Sequence, residues 1–468
     1  MAKGTSHPSA SRRRKVQPTK GWIFLALLAA VAAFSGGASR YDAIQIVPLR
    51  ALSSLLLIPA LYYLTWHELK REAALVTLFG LFVILVGLQL VPLPPEIWHA
   101  FPGRGAIEQL DAALGYADAW RPLSMAPMRT WNAFGSLVLP AVGLLVAIAF
   151  RATTRDLLHV IAGLGLLNAA LGLVQVFSGR SSPLYFYELT NWGSAVGIFA
   201  NENHSAVFAA CSLLVVARLG LETRIQRGAR WLSIFYPASF FFIVFVALVS
   251  GSRAGFVACL GAALVAVVMI GVSPARRSGE SPPGKLSRWS KQRPYLVAVL
   301  PLLVLALTVV AFVALGRAPA FSDILARDSF ADLRWLILPV ISEILSTHWM
   351  VGSGFGSFEQ VYQIYEPSDL LIPRYVNQAH NDWLQFIIEG GVLAGALLAG
   401  LTLWLVRSLL RVFHGRTGPV LGLFWISIFS IIAAASLVDY PLRTPIFQLV
   451  LIWLLFAISR DHRDAEDT

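Results

Sequence analysis

Long apolar runs separated by short polar or charged stretches recur from one end of the chain to the other. A helix needs about 20 predominantly apolar residues to cross a bilayer. Runs of that kind predict about twelve spans, at 21–38, 44–66, 73–93, 132–150, 157–177, 196–217, 231–250, 254–273, 295–315, 388–406, 419–438 and 445–459. Helices are expected because lipid offers backbone amides no partner, and a barrel would show short alternating strands instead. The expected fold class is therefore all-α, a polytopic integral membrane protein with one transmembrane domain over 21–459. Three polar intervals fall on one side of that membrane: 94–131, 178–195 and 316–387. In the last and largest, Leu333, Leu336, Ile337, Val340, Ile341, Ile344 and Leu345 recur at helical spacing. Residues 328–346 thus read as a partly amphipathic helix resting at the interface.

Composition changes the picture mainly by exclusion. Hydrophobic residues make up 57% and charged residues 13% of the chain, against roughly 25% charged in soluble domains. The formal net charge of +11 is a topology signal rather than a nucleic-acid footprint, so no nucleic-acid partner is expected. With the N-terminus in the cytoplasm, 25 of the 37 Lys and Arg lie on inward segments, which is the positive-inside bias. Both termini are then cytoplasmic, residues 1–20 as a disordered basic tail and 460–468 as a second tail. The remaining cations, facing outward, are all arginine, whose guanidinium fork suits phosphate oxygens. Cys211 and Cys259 fall inside spans and imply no disulfide framework. No His-Glu-x-x-His or Asp-rich pair appears, so neither a metal nor another cofactor is expected.

Chemistry concentrates in four clusters on the outward side. His380, followed by Asn381 and Asp382, stands where a polar loop enters a hydrophobic helix. At the water–lipid boundary it is either a proton acceptor for a lipid-borne substrate or an anchor for the helix end. Asn381 or Asp382 is placed to cap that helix. Arg253, at the tip of the Ser250–Gly255 hairpin, either meets lipid phosphates or snorkels to set helix depth. Arg327, Asp328 and Arg334 open the interfacial helix. Asn201, Glu202, Asn203 and His204 begin another span; such polar groups are costly unless they line a wet cavity or pair. Arg50 and the turn from Asp439 to Arg443 are two further candidates. Gly352, Gly354 and Gly356 mark either a plain turn or a loop whose amides approach a ligand closely.

In this order the clusters resemble the O-antigen ligase / Wzy polymerase superfamily of bacterial envelope proteins. The resembling pieces are Ser252-Arg253-Ala254-Gly255, Arg334, the Gly-Ser-Gly-Phe-Gly-Ser-Phe run from Gly352 to Phe358, His380-Asn381-Asp382-Trp383-Leu384 and Glu389-Gly390-Gly391. They span about 240–400; the Gly197–His204 segment and the Ser436–Pro441 turn extend the likeness. Glu202 stands where proline is common in the family, and Trp383 where tyrosine or phenylalanine is common. The resemblance implies an inner-membrane glycosyltransferase with a periplasmic active site and a partly helical periplasmic loop at 316–387. Its donor would be a glycan on undecaprenyl diphosphate, and its acceptor a hydroxyl of lipid A–core or of a growing polysaccharide. It also implies metal-independent inversion, with His380 as base and Arg253 and Arg334 on the diphosphate. Arg50, Asn201, Asn203, His204, Arg327, Asn381, Asp382, Asp439 and Arg443 would line or shape the cavity. A ligase-like activity is expected, with a Wzy-type polymerase as the alternative. A polysaccharide or small-solute transporter is the alternative from another class, and a continuous polar path across the bundle would favour it.

Overall fold

The computed structural model describes residues 18–225, 231–273, 335–371, 376–415 and 418–466, together with residue 310. Among them, nine helices are long and apolar enough to cross a membrane: Ile46–Tyr63, Pro127–Ala149, Thr154–Ser178, Glu202–Thr223, Leu232–Val249, Arg253–Val272, Asp382–His414, Gly418–Val438 and Pro445–Arg463. Gly21–Ser35 and Ala73–Leu88 are apolar but shorter. The remaining expected span, 295–315, lies outside the described residues apart from position 310. The protein is an all-α polytopic membrane protein. Its one described β pairing is a two-residue antiparallel bridge, Pro92–Leu93 with Arg121–Pro122.

The Glu202–Ile225 helix forms the centre, packed by Thr154–Ser178, Leu232–Val249 and Arg253–Val272. Without a hydrophobic drive between helices in lipid, close backbone approach through small residues holds such a bundle. Gly255 shows this, since a Cβ there would stand 2.1 Å from the Ala206 methyl. At the opposite end from the polar loops, Arg218 pairs with Glu222 at 2.9 Å and Asp461 at 2.7 Å. Trp425 also donates to Asp461, and Arg463 bonds Glu72. The last helix continues to Glu466, and these ion pairs hold its end against the bundle.

On the loop face, Leu338–His348 buries Val340, Ile341 and Ile344 in a small separate core with Phe358, Val361, Tyr362 and Ile388. The first part of the expected interfacial helix, with Arg327 and Arg334, lies outside the described residues. Arg104, 1% exposed, ties the 94–131 interval to this layer. Its guanidinium donates to the carbonyls of Leu123 and Gly352 and lies over the Trp98 ring. Burial lowers the Arg104 pKa to about 10. Burial and the charge of Arg104 bring His348 down to about 4, so His348 is neutral at physiological pH.

The Asp382–His414 helix is broken at Gly391, at φ +65° and ψ −160°. Carbonyls of Ile388 and Glu389, which an unbroken helix would pair with Val392 and Leu393, instead accept from the amides of Ser353 and Gly354, both at 2.9 Å. The amide of Val392 donates to the Met350 carbonyl at 3.1 Å. The glycine-rich loop therefore spends its amides on a helix break, which is the turn reading. That backbone region is essentially reserved to glycine, and a Cβ at Gly391 would lie 2.6 Å from the Val351 carbonyl carbon. Gly391→Ala is expected to destabilise the protein by about 1–3 kcal/mol, read as a lower unfolding midpoint in detergent; an unchanged midpoint would show that the break relaxes freely.

Candidate active site

Asn381 caps the Asp382–His414 helix, its side chain accepting from the Leu384 amide at 3.0 Å. The same side chain donates to the Leu437 carbonyl, which fastens the helix start to the end of the next span. His380, just before the cap, adopts φ +49°, in the left-handed region that few residues other than glycine, Asn, Asp and His visit. This turns its ring toward the Asp439–Arg443 segment. Nδ1 of His380 lies 3.6 Å from Oδ1 of Asp439, and Nε2 of His204 lies 3.8 Å from the same oxygen. The Tyr440 ring packs edge-on with both imidazoles, at 4.9 Å from His380 and 5.2 Å from His204. Burial alone would raise the Asp439 pKa, but the adjoining His204 and His380 imidazoles outweigh it. Asp439 is held below the ordinary carboxylate range and stays ionised.

A second constellation backs the first. Asp382, Gln385 and Glu389 occur at i, i+3 and i+7, so they share one face of the helix. Arg443 meets that face, with Nε 3.4 Å from Asp382 and Nη1 2.6 Å from Glu389. Burial would lower the Arg443 pKa; Glu389 and Asp382 more than offset it and raise the value. Asp382 also accepts from Ser436 and from the Leu442 amide. Glu389 is fully buried and takes a second bond from Gln385 at 3.0 Å.

This polar face forms part of the wall of a cavity of about 760 Å³. Near the loops the lining carries Arg40, Arg50, Arg129 and Arg443; farther along the helices it becomes leucine, at Leu397, Leu401, Leu405 and Leu455. Arg40 pairs with Asp42, while Arg129 pairs with Glu359 at 3.1 Å and lies over the Tyr41 ring. Among the described residues, no group of three His, Cys, Asp or Glu gathers as metal ligands.

Of the residues singled out from sequence, His204, His380, Asp382, Asp439 and Arg443 come together, with Asn381 fixing the junction. Arg50 faces the cavity. Asn201 accepts from the Asn203 amide at 2.8 Å, a local helix-start bond. Arg253 begins its helix behind the Ser252 cap. Its hairpin adjoins the helix start that bears His204, since a Cβ at Gly251 would lie 2.9 Å from the Glu202 carboxylate. Neither Arg253 nor His380 lines the cavity; His380 faces Asp439, while its neighbours Gln378 and Asp382 face the cavity. Glu389 was missed as a site residue, although an isolated carboxylate in an apolar run is itself a signal. Arg129 and Glu359 carried none, because each reads as an ordinary loop charge.

No curated protein matches the sequence. Residues 238–399, which include the Arg253 hairpin, the glycine-rich loop and His380, match a family model described as O-Antigen ligase. The likeness to the O-antigen ligase / Wzy-type superfamily rests on that segment.

Proposed function

We propose that this protein transfers a glycan from undecaprenyl diphosphate to an acceptor hydroxyl at the periplasmic face of the inner membrane, as an O-antigen ligase does. The observation that carries this reading is the pairing of His380 with the buried, ionised Asp439 at a loop–helix junction. A carboxylate at Nδ1 orients an imidazole and stabilises the imidazolium that proton uptake creates. Nε2 is assigned to the acceptor hydroxyl. As its proton passes to Nε2, the hydroxyl oxygen forms a bond to the anomeric carbon. The bond from that carbon to the diphosphate oxygen breaks on the opposite face, its electron pair leaving with the diphosphate. Direct displacement of this kind inverts the anomeric configuration.

Charge building on the departing diphosphate needs preorganised cations. Arg253 and Arg334 are assigned that task, without a metal. Asn201, Asn203 and Arg327 remain assigned to shaping the surrounding cavity. The leucine lining of the cavity supports an enzyme with a lipid substrate over a transporter, which would need polar groups along its path.

Purified protein in nanodiscs, given undecaprenyl-diphosphate-linked glycan and acceptor, is expected to release undecaprenyl diphosphate and yield an inverted linkage. Release no faster than from empty nanodiscs, or a retained configuration, would overturn the reading. In a strain lacking the gene, loss of long chains from the lipid anchor indicates a ligase; loss of a secreted polymer indicates a polymerase.

A further inference from the structure

Four arginines face the cavity, and three have carboxylate partners: Arg40 has Asp42, Arg129 has Glu359, and Arg443 has both Glu389 and Asp382. Arg50 differs. Its Nη2 donates to the backbone carbonyl of Asn132 at 2.7 Å and to the Asn132 side-chain oxygen at 2.8 Å. Both acceptors are neutral, and among the described residues Arg50 has no acidic partner. A guanidinium held by neutral oxygens keeps its full charge available to an anion, and beside a largely apolar wall that charge is only weakly screened. The seat is built for it: a Cβ at Gly135 would lie 2.9 Å from Nη1 and 3.0 Å from Cζ of Arg50, so the guanidinium occupies space that only a glycine leaves free. The same cavity continues along Leu75, Leu78, Phe79, Leu401 and Leu405, a surface that suits hydrocarbon.

We propose that Arg50 anchors the phosphate of a long-chain polyprenyl phosphate lipid whose hydrocarbon lies along this leucine wall. The site is separate from the diphosphate contacts assigned to Arg253 and Arg334. It rests on the reading of a lipid-linked substrate only for the choice of polyprenyl chain. One guanidinium fork meets phosphate oxygens bidentately, and the apolar wall rewards the chain; neither half binds well alone.

The test is equilibrium binding to the full-length protein in nanodiscs, with undecaprenyl phosphate, undecaprenol and inorganic phosphate as separate probes. The wild type is expected to bind undecaprenyl phosphate well above undecaprenol. Arg50→Gln should weaken undecaprenyl phosphate about tenfold or more, the loss of a charge-assisted bond, and leave undecaprenol unchanged. Arg50→Lys should fall between, and Gly135→Ala, which displaces the guanidinium without removing it, should weaken binding several-fold. Either of these serves if Arg50→Gln fails to fold. His380→Ala should bind like the wild type, so binding is read independently of transfer and survives a failure of the catalytic assignment. Equal binding of undecaprenyl phosphate by the wild type and the Arg50 variants would overturn the proposal. So would inorganic phosphate competing at concentrations similar to the lipid, which would indicate a simple anion site.

Discussion

Replacing His380 by alanine is expected to lower glycan transfer about 10²–10⁴-fold, the range set by loss of a positioned general base, while the protein still inserts and folds. The side chain is 15% exposed and packs on Tyr440 rather than in the bundle core, so its removal opens no large cavity. The backbone there is left-handed at φ +49°, which alanine adopts less readily than asparagine. His380→Asn is therefore the sharper variant: it keeps the backbone comfortable and offers no nitrogen able to take a proton. Both variants should show the same loss of undecaprenyl diphosphate release, the asparagine variant at an unchanged unfolding midpoint. Turnover near that of the parent in the asparagine variant would remove His380 from the chemistry. Loss in the alanine variant alone would assign the residue a purely conformational role.

The spans were legible because hydropathy in a bilayer is a nearly one-dimensional code, and the described helices fall on the predicted runs. The code misplaced several starts: the span expected at 196–217 begins at Glu202 and that at 132–150 at Pro127. The span expected at 388–406 begins at Asp382, since Asp382, Gln385 and Glu389 make its first two turns too polar to register. Arg443 makes that polarity tolerable, and it lies in a different inter-helix turn. The site was legible as separate pieces. His380, His204 and Asp439 each stood out as a polar group at a helix end, and the Asn381 cap followed from local chemistry. Their meeting was not legible, because it depends on how three helix junctions pack across more than two hundred residues of sequence. The glycine-rich loop was ambiguous for a related reason. Its partner is the break at Gly391, hidden inside an otherwise continuous apolar run. The joint assignment of Arg253, Arg334 and His380 belongs to the proposal: Asp439 and Tyr440 stand beside His380, Arg50 and Arg443 face the cavity, and Arg334 lies outside the described residues.

Glu389→Ala is expected to cost about 3 kcal/mol of stability, the low end of the range for removing one partner of a buried ion pair. The low end applies because Arg443 retains Asp382 at 3.4 Å and keeps 19% of its side chain exposed, so water and a second carboxylate soften the loss. Glu389→Gln should cost less, about 1–2 kcal/mol, because the amide oxygen still accepts from Arg443, while the charge and the acceptor used by Gln385 are lost. The order alanine below glutamine below parent, in unfolding midpoints measured in one detergent, is the expected result. An alanine variant as stable as the parent would mean that Arg443 is held by Asp382 alone. The double variant Glu389→Ala with Arg443→Met separates electrostatics from packing. If the ion pair dominates, removing both charges should destabilise by less than the two single changes added together, by about 0.5–3 kcal/mol for residues in contact. Strict additivity would instead assign the cost to the volume lost at Glu389, and the carboxylate would then be a buried spacer whose charge does nothing for the fold.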